Sequence, residues 1–350
     1  LSAIQSLTFV LLGNYVLEIQ GMTMTFWLIL FTTSCYSNMI GLNISSGLNS
    51  VITIYILIPL ILVPQLLLGG AMIKFDDLHG GITNKVYVPV IGDLMATRWA
   101  YEAMAVTQFK DNEFEKHFFD FEKGVSDASF TSSFLIPKIE SILIDCERNI
   151  EFEKNSLETK DHFDLLQNEI TQLTDEAGFE PFSYLKKLNP LDFNLDILEK
   201  TRQYLDAIKL HFMGINSESG YKKDFQYSRL VDSLGRDGVY DFKQEYYNQA
   251  LADLVLNRTE VNKMIEVDQS LIQKKDPIFM YPDSRFGRAH FYAPVKRVWN
   301  HYIDTYWFNL AIIWLGTALL FLTLWADLLR KLVDFFESLR LVHREKKVKP

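Results

Sequence analysis

Hydrophobic positions along this chain are gathered into blocks. Runs at 3–17, 26–42 and 51–73 are almost wholly apolar, and a fourth lies at 306–326. Between residues 1 and 73 the one charged side chain is Glu18, whereas Asp, Glu, Lys and Arg are abundant from 74 to 304 and vanish again from 305 to 326. A helix needs about 20 apolar residues to cross the hydrocarbon core, and a water-facing domain cannot leave so long a stretch without charge. The pattern predicts an all-α fold. It consists of polytopic membrane helices, four spans in this chain, with a large and mostly helical extracytoplasmic insertion between the last two. The predicted division is three transmembrane helices at 1–73, an external re-entrant or interfacial segment at 74–109, and an extracytoplasmic helical domain at 110–304. A transmembrane helix at 305–326 and a basic amphipathic cytoplasmic tail at 327–350 complete it.

Within the charged region the apolar spacing is helical. Ile136, Ile139, Leu143, Ile150, Leu157 and Leu165 recur at multiples of three and four residues across 133–173. Gly178 and Pro181 predict the end of that stretch. Residues 195–212 form a second amphipathic segment and 239–272 a third, with no alternating run of strand type between them. Breaks are expected at Gly124, 178–181, 189–190, 214–220 and 276–282. In the tail, Leu328, Leu329, Leu332, Val333, Phe336 and Leu339 again repeat at helical spacing, which predicts a helix lying at the inner membrane surface.

Charge sets the orientation. The net charge is −9, which argues against nucleic acid as a partner. Seven Lys and Arg lie between 330 and 349, whereas before Arg98 the only basic residues are Lys74 and Lys85. By the positive-inside rule the C-terminus is cytoplasmic, 74–304 is extracytoplasmic and a short turn at 43–49 is cytoplasmic. That turn carries no charge and does not by itself exclude the inverse arrangement. The chain opens on Leu and runs directly into apolar sequence without a charged leader, so the N-terminus reads as a cut inside a longer protein. The two cysteines, Cys35 and Cys146, form no metal or disulfide framework and read as structural thiols.

Two neighbouring segments carry candidate chemistry. The third hydrophobic run contains Pro59 and Pro64, each of which removes a backbone donor from a helix, then Gln65, then the pair Gly69 and Gly70. Freed carbonyls in lipid need new partners, which Gln65 can supply, and the glycines allow close backbone approach. Both a kinked packing helix and a hinge or path-lining helix fit. After Pro89 and Gly92, Asp93 can cap a helix on which Arg98 and Glu102 stand four apart and share a face, with Trp99 beside them. Other readings are weak. There is no HExxH, no GxSxG and no GxxxxGK[ST], so the chain has no ATPase motif. The charged clusters at 221–224 and 285–297 read as solvated faces.

Together, Pro59, Pro64, Gln65, Gly69 and Gly70 followed by Thr97, Arg98, Trp99, Ala100, Glu102 and Ala103 resemble the membrane domain of ABC-2 type transporters, in particular bacterial relatives of the ABC G-subfamily. The resemblance covers 1–109, and the last span by position, but not the insertion. It implies the C-terminal part of a membrane-spanning permease in an ATP-driven exporter that works by alternating access in the cytoplasmic membrane. It implies no cofactor in this stretch, with ATP and Mg held by an ATP-binding domain fused upstream or carried as a separate subunit. A second membrane half, in a homodimer, and the lipid bilayer are the other implied partners. Pro59, Pro64, Gln65, Gly69, Gly70, Arg98, Trp99 and Glu102 would then serve gating or structure. The alternative is a membrane-anchored extracytoplasmic binding or sensing protein without transport activity.

Overall fold

The computed structural model describes residues 1–48, 50–81, 83, 85–152 and 157–335, without side chains at 149–152 and 157–158. In chain order its helices are α1 (Ser2–Val16), α2 (Thr23–Gly47), α3 (Val51–Leu67), α4 (Val90–Asp93) and α5 (Ala96–Lys110). There follow α6 (Phe119–Phe130), α7 (Ile136–Phe152), α8 (Leu157–Ala177), α9 (Leu195–Tyr246) and α10 (Gln249–Val255). Two hairpins come next, β1 (Met264–Val267) with β2 (Ser270–Gln273) and β3 (Val295–Val298) with β4 (His301–Asp304), and α11 (Thr305–Trp325) follows. The chain divides into two units, one of Leu1–Asn112 with Tyr281–Pro350 and one of Glu113–Met280.

In the first unit α2 packs against α1, α5 and α11, and α5 packs against α11. Ile29, Trp99, Ala103 and Ile313 are buried where α2, α5 and α11 meet. Polar side chains tie the helices as well. Asn43 on α2 donates to the carbonyl of Leu320 at 2.9 Å and accepts from Thr323 at 2.9 Å. Tyr306 donates to the carbonyl of Thr25 at 3.1 Å. The expected turn at 43–49 is therefore shorter than its composition suggested: α2 runs through Gly47, and Asn43 is a buried helix contact rather than a loop residue.

Among the described residues one helix, Thr305–Trp325, is both long and apolar enough to cross a membrane, and Val51–Leu67 is apolar but shorter. Helix α2 has the length, yet Ser34, Ser37, Asn38, Asn43 and Ser45 dilute the hydropathy of its second half. Residues 328–335 are helical, while the rest of the amphipathic tail lies outside the described residues.

The second unit is built on an aliphatic core in which Ile139, Leu143, Leu166 and Ile170 of α7 and α8 meet Leu205 and Ile208 of α9. The 133–173 periodicity resolves into a π turn at Thr131–Leu135, then α7 and α8. The expected stop is present: Gly178 takes φ +65° just past α8, where a left-handed residue ends a helix without side-chain strain.

Three other expectations are corrected. Gly124 sits inside α6, and a Cβ there would lie 2.5 Å from Ser219 Oγ; it is a close-approach residue for α9, not a break. Gly214 and Gly220 lie inside α9, where the cost of about 1 kcal/mol per glycine does not interrupt so long a helix. The real break is Gly235, at φ 76°. The third predicted segment, 239–272, is only partly helical. Its end is the hairpin β1–β2, whose two-residue turn, Asp268–Gln269, has both φ values positive (47° and 59°). That backbone matches strand twist, but no Gly or Asn signals it. The fold is thus mostly helical with two short hairpins, not wholly α.

Candidate functional site

Helix α5 begins where α3 ends. The amide of Thr97, in the first turn of α5, donates to Gln65 Oε1 at 3.3 Å, and the Thr97 hydroxyl donates to the Gln65 carbonyl at 2.6 Å. The first N–H groups of a helix have no partner within it, so a side chain from α3 caps α5. Gln65 acts as an acceptor for α5 rather than as a donor to carbonyls freed by the prolines. Gly69 makes room for this contact, since a Cβ there would lie 2.8 Å from the Gln65 carbonyl oxygen and 3.0 Å from Thr97 Oγ1. Gly70 has φ +79°, and a Cβ would lie 2.5 Å from the Phe291 ring. Pro59 and Pro64 both lie within α3, which buries none of its residues.

Arg98, Trp99 and Glu102 come together in the interior of the first unit. Arg98 is 1% exposed and Glu102 is 0% exposed, so this charged face of α5 is packed into the interior of the unit. Arg98 Nη1 stands 3.4 Å from Glu102 Oε2, and its Nη2 stands 3.8 Å from Asp93 Oδ1. The guanidinium carbon sits 3.8 Å from the centre of the Trp99 ring, a cation–π contact strengthened by desolvation. Trp99 in turn donates its indole N–H to the Asp93 carbonyl at 2.8 Å.

The partners of Glu102 come from the far end of the chain. Lys296 on β3 donates to Glu102 Oε1 at 2.7 Å, and Asn309 on α11 donates to Glu102 Oε2 at 2.9 Å and to the Trp99 carbonyl at 3.0 Å. Lys296 is 0% exposed, which corrects the reading of 285–297 as a solvated cluster. The error has a plain cause: a lysine on a hairpin reads as surface unless its acid is known. At the edge of the network Arg288 stands 3.7 Å from Asp93 and donates to the Val88 carbonyl at 2.9 Å.

Burial opposes ionisation of Glu102, but Arg98, Lys296 and the bond from Asn309 together hold its carboxyl below its ordinary range. Burial pulls Lys296 down to about 8, with Glu102 resisting and Arg98 assisting. Asp93 is raised, chiefly by burial, against the pull of Arg98 and Arg288. The arrangement is a compensated ion cluster joining α4, α5, β3 and α11. Among the described residues, Nε and Nη1 of Arg98 complete no hydrogen bond, so these two nitrogens are held by charge and ring contacts. Such a cluster can hold helices in register and can exchange partners. It carries no nucleophile and acid–base arrangement of a catalytic kind.

Comparison with protein families matches residues 1–109 to the model described as ABC-2 type transporter. That stretch holds all eight sequence-predicted site residues. Lys296 and Asn309 lie outside it. Comparison of the chain with curated proteins finds no match, and comparison with solved structures finds none.

Proposed function

Because residues 1–109 match the family model described as ABC-2 type transporter, we propose that this chain is the membrane-spanning part of an ATP-driven exporter. The match itself carries the reading, because it falls on the segment where α3 meets α5 and where the Arg98–Glu102 pair is buried. On this reading four helices, α1, α2, α3 and α11, span the cytoplasmic membrane, with 74–304 outside and the C-terminus inside. The ATPase is supplied by a fused or separate ATP-binding domain, which switches the membrane helices between inward- and outward-open states.

The residues take distinct parts in that cycle. Bending is placed at Pro59 and Pro64, where α3 lacks backbone donors. The exposed apolar flank of α3, including Ile56 and Leu60, suits lipid or a second membrane half. The ion cluster braces the external end of the path. Because Glu102 is shared by Arg98 and Lys296, exchanging Arg98 and Glu102 would set an arginine against Lys296, and that swap will not restore activity.

The test is made on the full-length protein assembled with its ATP-binding component in lipid discs. Spin labels at Leu60→Cys and Val90→Cys, in a Cys35→Ser, Cys146→Ser background, report the distance between α3 and α4. ATP with vanadate should change that distance in the wild type, and Glu102→Gln should suppress the change while leaving assembly intact. An α3–α4 distance indifferent to ATP in the assembled wild type sinks the exporter reading and leaves the anchored binding protein.

A further inference from the structure

Within Glu113–Met280, a cleft of about 400 Å3 opens between α6, α9 and the segment that follows α10. Over residues 113–280 acids outnumber bases by 32 to 20. In the cleft that balance inverts: Lys223, Arg258, Lys263 and Lys275 line it against only Glu122 and Asp276. A local excess of positive charge inside an acidic unit is not what a generic solvated face would show.

The two carboxylates are already engaged. Glu122 holds Lys223 at 2.9 Å. Asp276 is paired with Lys275 and accepts from the Ser126 hydroxyl at 2.7 Å. Asp276 itself takes φ +52°, and its carboxylate ties this turn to α6. The surplus cations are the other two. Arg258 pairs with Asp253 at 2.9 Å, both side chains about half exposed, and Lys263 donates to the carbonyl of Glu260. An exposed pair of that kind is worth about 0–1 kcal/mol, so the guanidinium is available to a more highly charged partner at little cost. Leu256 and Phe279 give the cleft an apolar wall, and its volume falls in the range of small-ligand sites, about 300–1,000 Å3.

We propose that this cleft binds a phosphate-bearing molecule, with Arg258 and Lys263 on the phosphate and the apolar wall of Leu256 and Phe279 against the remainder. A doubly charged tetrahedral oxyanion uses cations converging from several elements, and the planar fork of an arginine matches two of its oxygens. The assignment does not depend on transport.

The probe is inorganic pyrophosphate, titrated by calorimetry into the full chain in phosphatidylcholine discs. Saturable binding is expected, weakened about tenfold by Arg258→Gln, equivalent to ~1.4 kcal/mol. Lys263→Gln should weaken it as well. Lys222→Gln, which removes a lysine paired with Glu218 on the exposed side of α9, should leave it unchanged. Repeating the titration in discs doped with phosphatidylglycerol separates the sources. Weaker apparent binding there identifies a lipid headgroup as the occupant, and unchanged binding identifies a soluble phosphate compound. No saturable binding in phosphatidylcholine discs, or Arg258→Gln binding as tightly as wild type, overturns the proposal.

Discussion

In the unit formed by Leu1–Asn112 with Tyr281–Pro350, the buried carboxylate Glu102 meets two cations and an amide. In Glu113–Met280, Glu169, also buried, accepts the backbone N–H of Leu271 at 2.7 Å and lies near a second acid, Glu176. The consequences run in opposite directions. Glu102 is held below the ordinary carboxylate range, whereas burial pushes Glu169 up to about 7. Glu115, also buried and hydrogen-bonded to Glu122, is pushed up to about 9 by burial first and by that neighbour second. Glu102 is compensated by neighbouring cations, whereas Glu169 and Glu115, with acids beside them, are driven by burial toward the protonated form. The first solution couples distant elements through specific partners; the second makes local packing sensitive to pH.

The sharpest way to break this contrast is to remove one partner of the compensated cluster. Glu102→Gln leaves Lys296 buried without its acid and Arg98 with only Asp93, at 3.8 Å, and Lys296→Met leaves Glu102 with a guanidinium that completes few hydrogen bonds. Each single change should cost about 3–5 kcal/mol. The pair together should cost less than the sum of the two, because each side of the cluster is then neutralised. Thermal unfolding of the four proteins in detergent measures the coupling. Strict additivity would mean that the residues are neighbours without being a cluster.

A smaller effect tests the other side. Glu169 has a folded pKa near 7 against an ordinary value of 4.5. The folded state therefore binds the proton more tightly, and the stability this brings is complete below about pH 4.5 and lost as pH rises through about 7. The loss is at most roughly 3–4 kcal/mol. Hydrogen exchange at Leu271 and its strand neighbours, corrected for intrinsic rates, should show weakening of β1–β2 across that window. Glu169→Gln should flatten the profile while keeping the acceptor for Leu271. A wild-type profile already flat between pH 5 and 7.5 would refute the protonated-carboxyl account.

Backbone geometry gives the third test. Gly70→Ala places a Cβ against Phe291 and Phe75 in a left-handed conformation. It should destabilise the first unit by about 1–3 kcal/mol, whereas Gly80→Ala, with open space around it, should change stability little. Equal effects at both would show that the Gly70 contact is unimportant.

How far the sequence revealed all this depended on distance along the chain. Arg98 and Glu102 stand one helical turn apart, and that spacing alone predicted the pair. The glycine pair announced close approach, and Gly178 announced a helix end. Lys296 and Asn309 are 194 and 207 residues away from Glu102, and no local period links positions so far apart. Burial of α5 was equally hidden, because Arg98 and Glu102 make it look amphipathic until their partners are known. The hairpins were missed for a different reason. Asp268, Gln269 and Trp299 take positive φ values that glycine usually occupies, and strands of four residues leave too short an alternation to read.

The smallest expected effect falls on the contact between α3 and α5, and it is the most informative about the proposed hinge. Gln65→Leu keeps the size and apolar character of the helix but removes the side-chain acceptor for the Thr97 amide, while the Gln65 carbonyl still receives the Thr97 hydroxyl. Loss of one helix cap costs about 1 kcal/mol. If α3 bends at Pro59 and Pro64 as the cycle proceeds, its C-terminal end must stay fixed to α5 for the bend to move the rest of α3. Gln65→Leu should then reduce the ATP-dependent change between Leu60→Cys and Val90→Cys by more than its small effect on unfolding would suggest. Thr97→Val, which removes the hydroxyl and keeps the amide, should act in the same direction. A full ATP-dependent change in both variants would show that the bend in α3 does not depend on its contact with α5.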